Sequence, residues 1–185
     1  SEMCIRDSDV LDRFFKAGQM ETRTVAPTLS PSMDIQISSN FERLLFEILD
    51  RDGERVATMF QALQQSGLLS VDQSILAELR QTWSSCRVDD NQTLETIAHI
   101  YQETGQLIDP HTAVGIAAAR ENENRNNIPT ICLATAHPSK FPEPVQKATG
   151  VKPELPSHLA DLDQRKEKFS ILPNSLEAIK EFILE

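Results

Sequence analysis

The chain has 185 residues, 39% of them apolar and 25% charged, which suffices to bury the core of one ordinary domain or of a large piece of a bigger one. A formal net charge of −10 with no offsetting basic cluster excludes a nucleic-acid footprint, and no apolar run approaches the roughly 18 residues that a membrane span needs. The three cysteines, Cys4, Cys86 and Cys132, are odd in number and widely spaced. They fit neither a disulfide framework nor a zinc site, and with no apolar leader they point to reduced thiols in a cytoplasmic compartment.

Ser1 to Ser8 shows no periodicity and stops against a helical pattern. Val10, Leu11, Phe14 and Phe15 then recur at helix spacing and end at Gly18, a good C-terminal stop. A helix opening this early is expected where a chain begins inside a fold. Thr28 to Asn40 is rich in hydroxyls, with prolines nearby and no strong period. It reads equally as the lining of a polar pocket and as a long surface loop. Ser39 or Asn40 can cap the next helix, whose apolar face is Leu44, Leu45, Ile48 and Leu49.

Gly53 is expected to break the chain before a helix carrying Val56, Met59, Phe60 and Leu63 and ending at Gly67. Asp72 is a possible N-cap for a helix with Ile75, Leu76, Leu79 and Trp83 on its core side. Ser84 to Asp90 is short and polar. Asp89 and Asp90 lack further ligands, so they mark a helix start rather than a metal. Thr93 to Thr104 is then helical, with His99 partly exposed.

Asp109-Pro110 suits another helix start, followed by the small-residue helix Ala113 to Ala119. His111 and Thr112 fall in its first turn, where free amides favour an anion, although a simple cap is the equal alternative. Glu121 to Asn127 connects to Thr130–Ala134, which is short, apolar and partly β-branched. That segment reads as a buried parallel strand. Thr135, His137, Ser139 and Lys140 follow at its carboxyl end, the end where open α/β sheets bind ligands. They make either an anion or cofactor site or a plain loop leading to a helix from about Pro142 to Ala148. A Pro-rich link, Lys152 to Pro156, precedes two expected helices, Leu159 to Lys168 and Ser175 to Leu184. The predicted class is α/β and helix-rich, with one buried strand at about 130–134. No metal motif, phosphate loop or nucleophile elbow is present.

Three blocks carry a resemblance: Thr28-Leu-Ser-Pro-Ser-Met-Asp-Ile-Gln with Ser39-Asn-Phe-Glu-Arg-Leu, then Asp109-Pro-His-Thr-Ala-Val-Gly, then Thr135-Ala-His-Pro-Ser-Lys-Phe. In order and spacing they resemble threonine synthase, as does the helix Val10-Leu-Asp-Arg-Phe-Phe-Lys-Ala-Gly. The likeness runs over 9–185, the C-terminal portion of that fold. Residues 1–8 do not resemble the family and read as a cloning or assembly artefact.

The resemblance implies a pyridoxal-phosphate enzyme of the tryptophan-synthase β type (fold type II). Such an enzyme converts O-phospho-L-homoserine and water to L-threonine and phosphate, the last step of threonine biosynthesis. It implies that the Schiff-base lysine and the loop for the cofactor phosphate lie in an N-terminal part absent here. That part is the expected partner, and these residues alone are expected to be inactive. Thr135 matches the family position whose hydroxyl bonds the pyridine nitrogen. Ser30, Asp34, Asn40, His111, Thr112, His137 and Lys140 are candidates for the substrate pocket. Two alternatives are another pyridoxal-phosphate lyase of the same fold and an acidic helical interaction module without cofactor. The Ser-Pro-Ser-Met-Asp-Ile block favours the synthase over the lyase.

Overall fold

The structure is a computed structural model. It describes residues 2–5 (backbone only), 9–25, 27–38, 40–121 and 129–184. The proposed cap Ser39 and most of the Glu121–Asn127 connection lie outside these residues. Two compact units emerge, 1–153 and 154–185.

The first unit is built on helix α1 (Val10–Ala17), whose apolar side chains at helical spacing are all buried. Phe14 sits edge-on to Phe15 and to Phe41, with ring centroids 5.7 and 4.7 Å apart. Gly18 ends α1 in the left-handed conformation (φ 73°), as its place in the pattern predicts. A side chain there would be strained twice over, because a Cβ would also lie 3.3 Å from Leu76 Cδ2. The turn leads into strand β2 (Gln19–Glu21).

Helix α2 (Phe41–Ile48) turns Phe41 and Leu45 into the same core. Helix α3 runs Gly53–Ser66, so Gly53 opens a helix rather than breaking the chain. The break falls just before it, where Asp50 and Arg51 take positive φ (56° and 64°) and Asp52 caps α3 by accepting Arg55 N–H at 2.9 Å. Strand β3 (Leu68–Ser70) pairs antiparallel with β2, Met20 opposite Leu69, and both of these side chains are buried. Helix α4 (Gln73–Thr82) places Leu76 and Leu79 inside.

Strand β4 (Ser84–Arg87) then pairs in parallel with β1 (Glu2–Ile5), Cys86 opposite Cys4. Residues 2–5 of the aperiodic N-terminal stretch are therefore paired into this sheet. Their register is set by the partner strand, since 4 residues are too few to show an alternating pattern. Asp12, buried on α1, ties that helix to β4: it accepts Ser85 Oγ and Lys16 Nζ, each at 2.8 Å. The ammonium of Lys16 is held above its ordinary range by the hydrogen bond and charge of Asp12.

Helix α5 (Asp90–Thr104) opens on a capping box between Asp89 and Gln92, so the acidic pair is a helix start. Helix α6 (Pro110–Glu121) packs against α5, and helix α7 (Pro142–Thr149) packs against α5 in turn. Val114 and Ala118 of α6 join Cys86 and Val88 in a second, smaller core.

The 130–134 segment departs from expectation. It is neither assigned as strand nor buried, and Ile131 and Leu133 are 85% and 76% exposed. A strand exists only by pairing, and no described strand pairs with this segment. The α/β class stands, with two small sheets among the described residues, β1–β4 parallel and β2–β3 antiparallel.

In the second unit the expected helix Leu159–Lys168 reduces to 3-10 turns at Ser157–Leu159 and Leu162–Gln164. The charge run offers no apolar face to fold against. Arg165 instead pairs with Asp161 (2.6 Å) and donates to the His158 carbonyl (3.0 Å), holding the Asp161 carboxyl below its ordinary range. Helix α8 (Leu176–Leu184) forms as predicted. Among the described residues no helix is long and apolar enough to cross a membrane.

Candidate functional site

The site is assembled at the first turn of α6. Pro110 occupies the first helical position and has no N–H, so the first free amides belong to His111 and Thr112. Asp109 caps both: Oδ2 accepts His111 N–H at 3.0 Å and Oδ1 accepts Thr112 N–H at 3.2 Å. The same carboxylate takes the two side chains, His111 Nδ1 at 2.8 Å and the Thr112 hydroxyl in a short contact. Asp109 is fully buried, and the groups gathered around it are donors. The anion expected at this helix start is thus the chain's own Asp109.

These contacts fix the imidazole. Ser32 N–H donates to His111 Nε2 at 3.3 Å, which makes that nitrogen an acceptor and assigns the ring proton to Nδ1, facing Asp109. Phe141 covers the ring at 4.5 Å between centroids. His111 is therefore locked between the loop at Ser32 and Asp109.

Thr112 links the helix to the 129–135 segment. Its Oγ1 accepts Thr135 N–H at 3.1 Å and lies 3.5 Å from Thr135 Oγ1. Thr135 itself is exposed. It lies on the wall of a cavity of about 490 Å³, with Met33, His111, Gly115, Ala119 and residues 129–133 as the other lining. Nothing stands within 4 Å of where a Gly115 Cβ would be, so the helix surface there is open and flat. A second cavity of equal volume, lined by Glu42, Arg43 and Phe46, contains none of the candidate residues.

Of the residues singled out from sequence, His111, Thr112 and Thr135 come together. Of these three, His111 and Thr135 line the cavity and Thr112 does not, nor does any of the other candidates. Ser30 is fully buried in its loop and its amide donates to Thr28 Oγ1 at 3.1 Å. Asp34 staples that loop, accepting Thr28 N–H and Oγ1–H at 2.8 and 2.7 Å. Asn40 is exposed at the N-cap of α2 without a side-chain bond. His137 Nδ1 accepts Ser139 N–H at 3.2 Å and lies 2.7 Å from Ser139 Oγ, closing the short turn Pro138–Lys140. Lys140 is exposed on that turn. Asp109 and Gly115 are the members not singled out for the site. Asp109 was legible as a cap, but not as the hub of a side-chain cluster. Among the described residues no group of three or more His, Cys, Asp or Glu is placed to hold a metal.

Comparison with known proteins bears on this geometry. Residues 112–183 match the family described as "Threonine synthase, C-terminal". Threonine synthase of Pseudomonas aeruginosa is 48% identical over 177 residues, which cover 95% of this chain and 38% of that protein. A pyridoxal-phosphate-bound threonine synthase structure from Brucella melitensis is 45% identical. It superposes with a TM-score of 0.87 over 98% of this chain and 39% of its own. The yeast threonine synthase structure gives 37% identity and a TM-score of 0.81, over 100% of this chain and 42% of its own. The chain spans about two fifths of the length of these relatives.

Proposed function

We propose, since the chain belongs to the threonine synthase family and corresponds to its C-terminal portion, that it forms one wall of a pyridoxal-phosphate site. In this reading it serves the conversion of O-phospho-L-homoserine and water to L-threonine and phosphate. The observation that carries the reading is Thr135, an exposed hydroxyl held by its own backbone N–H to Thr112 at the edge of an open cavity.

The residues present fit that cofactor. The Cβ-free surface at Gly115 leaves room for a flat ring, and Thr135 offers a hydroxyl at the ring's edge. When bound, the cofactor supplies an electron sink for carbanion chemistry on the amino acid. The chain's own share is placement. Thr135 would donate to the pyridine nitrogen, and a neutral hydroxyl there would leave that nitrogen without a proton. His111, locked by Asp109 and Ser32, keeps the neighbouring wall rigid. Met33 and Ala119 supply part of the cavity's apolar lining.

The reading assigns the Schiff-base lysine to sequence outside these residues, in keeping with a fold type II enzyme in the cytoplasm. His137 and Lys140, on the exposed turn, take the role of orienting the ring or attracting the substrate's phosphate.

The test is phosphate release from O-phospho-L-homoserine by the natural enzyme that carries this chain, set beside the 185-residue chain alone. The enzyme should release phosphate, the chain alone should not, and Thr135→Ala should lower turnover by about tenfold or more, the scale of one lost transition-state hydrogen bond. Release by the chain alone, or unchanged turnover in Thr135→Ala, overturns it.

A further inference from the structure

The proton inventory around Asp109 has a direction. Both carboxylate oxygens accept backbone N–H groups, at 3.0 and 3.2 Å, so the carboxylate works as an acceptor. Thr112 has a single hydroxyl proton and two lone pairs. Its oxygen already receives Thr135 N–H at 3.1 Å, and its proton is drawn to Asp109 Oδ1. Nothing remains on Thr112 to donate to Thr135 Oγ1, 3.5 Å away. Thr135 can send its own proton back to Thr112 only across that long, weak distance. Turning the proton outward therefore forfeits little.

We propose that Asp109 and Thr112 are positioning residues that make Thr135 an outward hydrogen-bond donor, selecting a cofactor whose ring atom at that point is an unprotonated acceptor. Asp109 acts through Thr112, and neither touches the cofactor. This rests on the reading of Thr135 given above. It goes beyond that reading by assigning the hydroxyl's polarity to a buried carboxylate two hydrogen bonds away.

The experiment uses the natural enzyme and two probes, pyridoxal phosphate and its 1-deaza analogue, in which CH replaces the ring nitrogen. The readout is the ratio of their dissociation constants by equilibrium dialysis. General damage to the site weakens both probes and leaves the ratio standing. The unaltered enzyme should prefer pyridoxal phosphate by about tenfold, equivalent to ~1.4 kcal/mol. Thr112→Val, which removes both the link to Asp109 and the acceptor for Thr135 N–H, should bring the ratio below about threefold. Thr112→Ser should keep it.

A Thr112→Val ratio of about threefold or more overturns the relay and leaves the Thr135 reading intact. No preference in the unaltered enzyme overturns both. Should Thr112→Val fail to fold, Thr112→Cys, whose thiol is a weak donor, decides by the same threshold.

Discussion

Replacing Asp109 with alanine should destabilise the chain by far more than an ordinary capping loss. The side chain is fully buried and receives two backbone amides, the His111 ring and the Thr112 hydroxyl. An N-cap alone contributes about 0.5–2 kcal/mol. A buried donor left without a partner costs about 1–3 kcal/mol. The Thr112 hydroxyl can turn elsewhere, but the two amides and the imidazole cannot follow the missing carboxylate. Together these give a loss of about 3–5 kcal/mol. Asp72, at the N-cap of α4, supplies the control. Its side chain is 76% exposed, makes no cap bond, and meets only Arg55 at 3.4 Å, so Asp72→Ala should cost less than about 0.5 kcal/mol. Urea unfolding followed by far-ultraviolet circular dichroism measures both, with the slopes compared to confirm that the same surface is exposed. Equal losses for the two variants would refute the assignment of Asp109 as the hub of this turn.

Three further outcomes are expected. Phe14→Ala, at a fully buried position bounded by two other rings, should cost about 3–5 kcal/mol in the same unfolding assay. Gly18→Ala should cost about 1–2 kcal/mol through its positive φ and its approach to Leu76, whereas Gly105→Ala, with the same backbone but open space around it, should cost less. Asp161, held below its ordinary 3.8 by Arg165, contributes stability that is present above that value and lost as pH falls through the lower folded value. Its carboxyl carbon followed by NMR should titrate below 3.8 and return toward it in Arg165→Ala.

Helices with a strong apolar stripe and a clear stop were legible in the chain. Helix α1 runs as expected to Gly18, and α5 opens at the acidic pair Asp89-Asp90. The short strands were not, because Gln19–Glu21 and Leu68–Ser70 are three residues each and alternate only once. The apolar run at 130–134 carries a strand's composition, but a ladder needs a neighbour, and composition does not say where that neighbour is. At the site, Thr112 could be placed in a first helical turn from Asp109-Pro110, yet its bond to Thr135 joins segments 23 residues apart, a relation that no local pattern records. The loop residues Ser30 and Asp34 were read for their polarity, but the Asp34 carboxylate is satisfied within the loop itself and Ser30 is fully buried there.

The parallel pairing of β1 with β4 also orders events during synthesis. About 80 residues, including all of α1 to α4, lie between the two strands. At translation rates of about 5–20 residues per second, β1 leaves the ribosome roughly 4–16 seconds before its partner. During that interval its edge groups are unpaired and open to other strands. The Phe14–Phe41 core can form in the meantime, so β4 would arrive at a preassembled helical platform and capture β1 last.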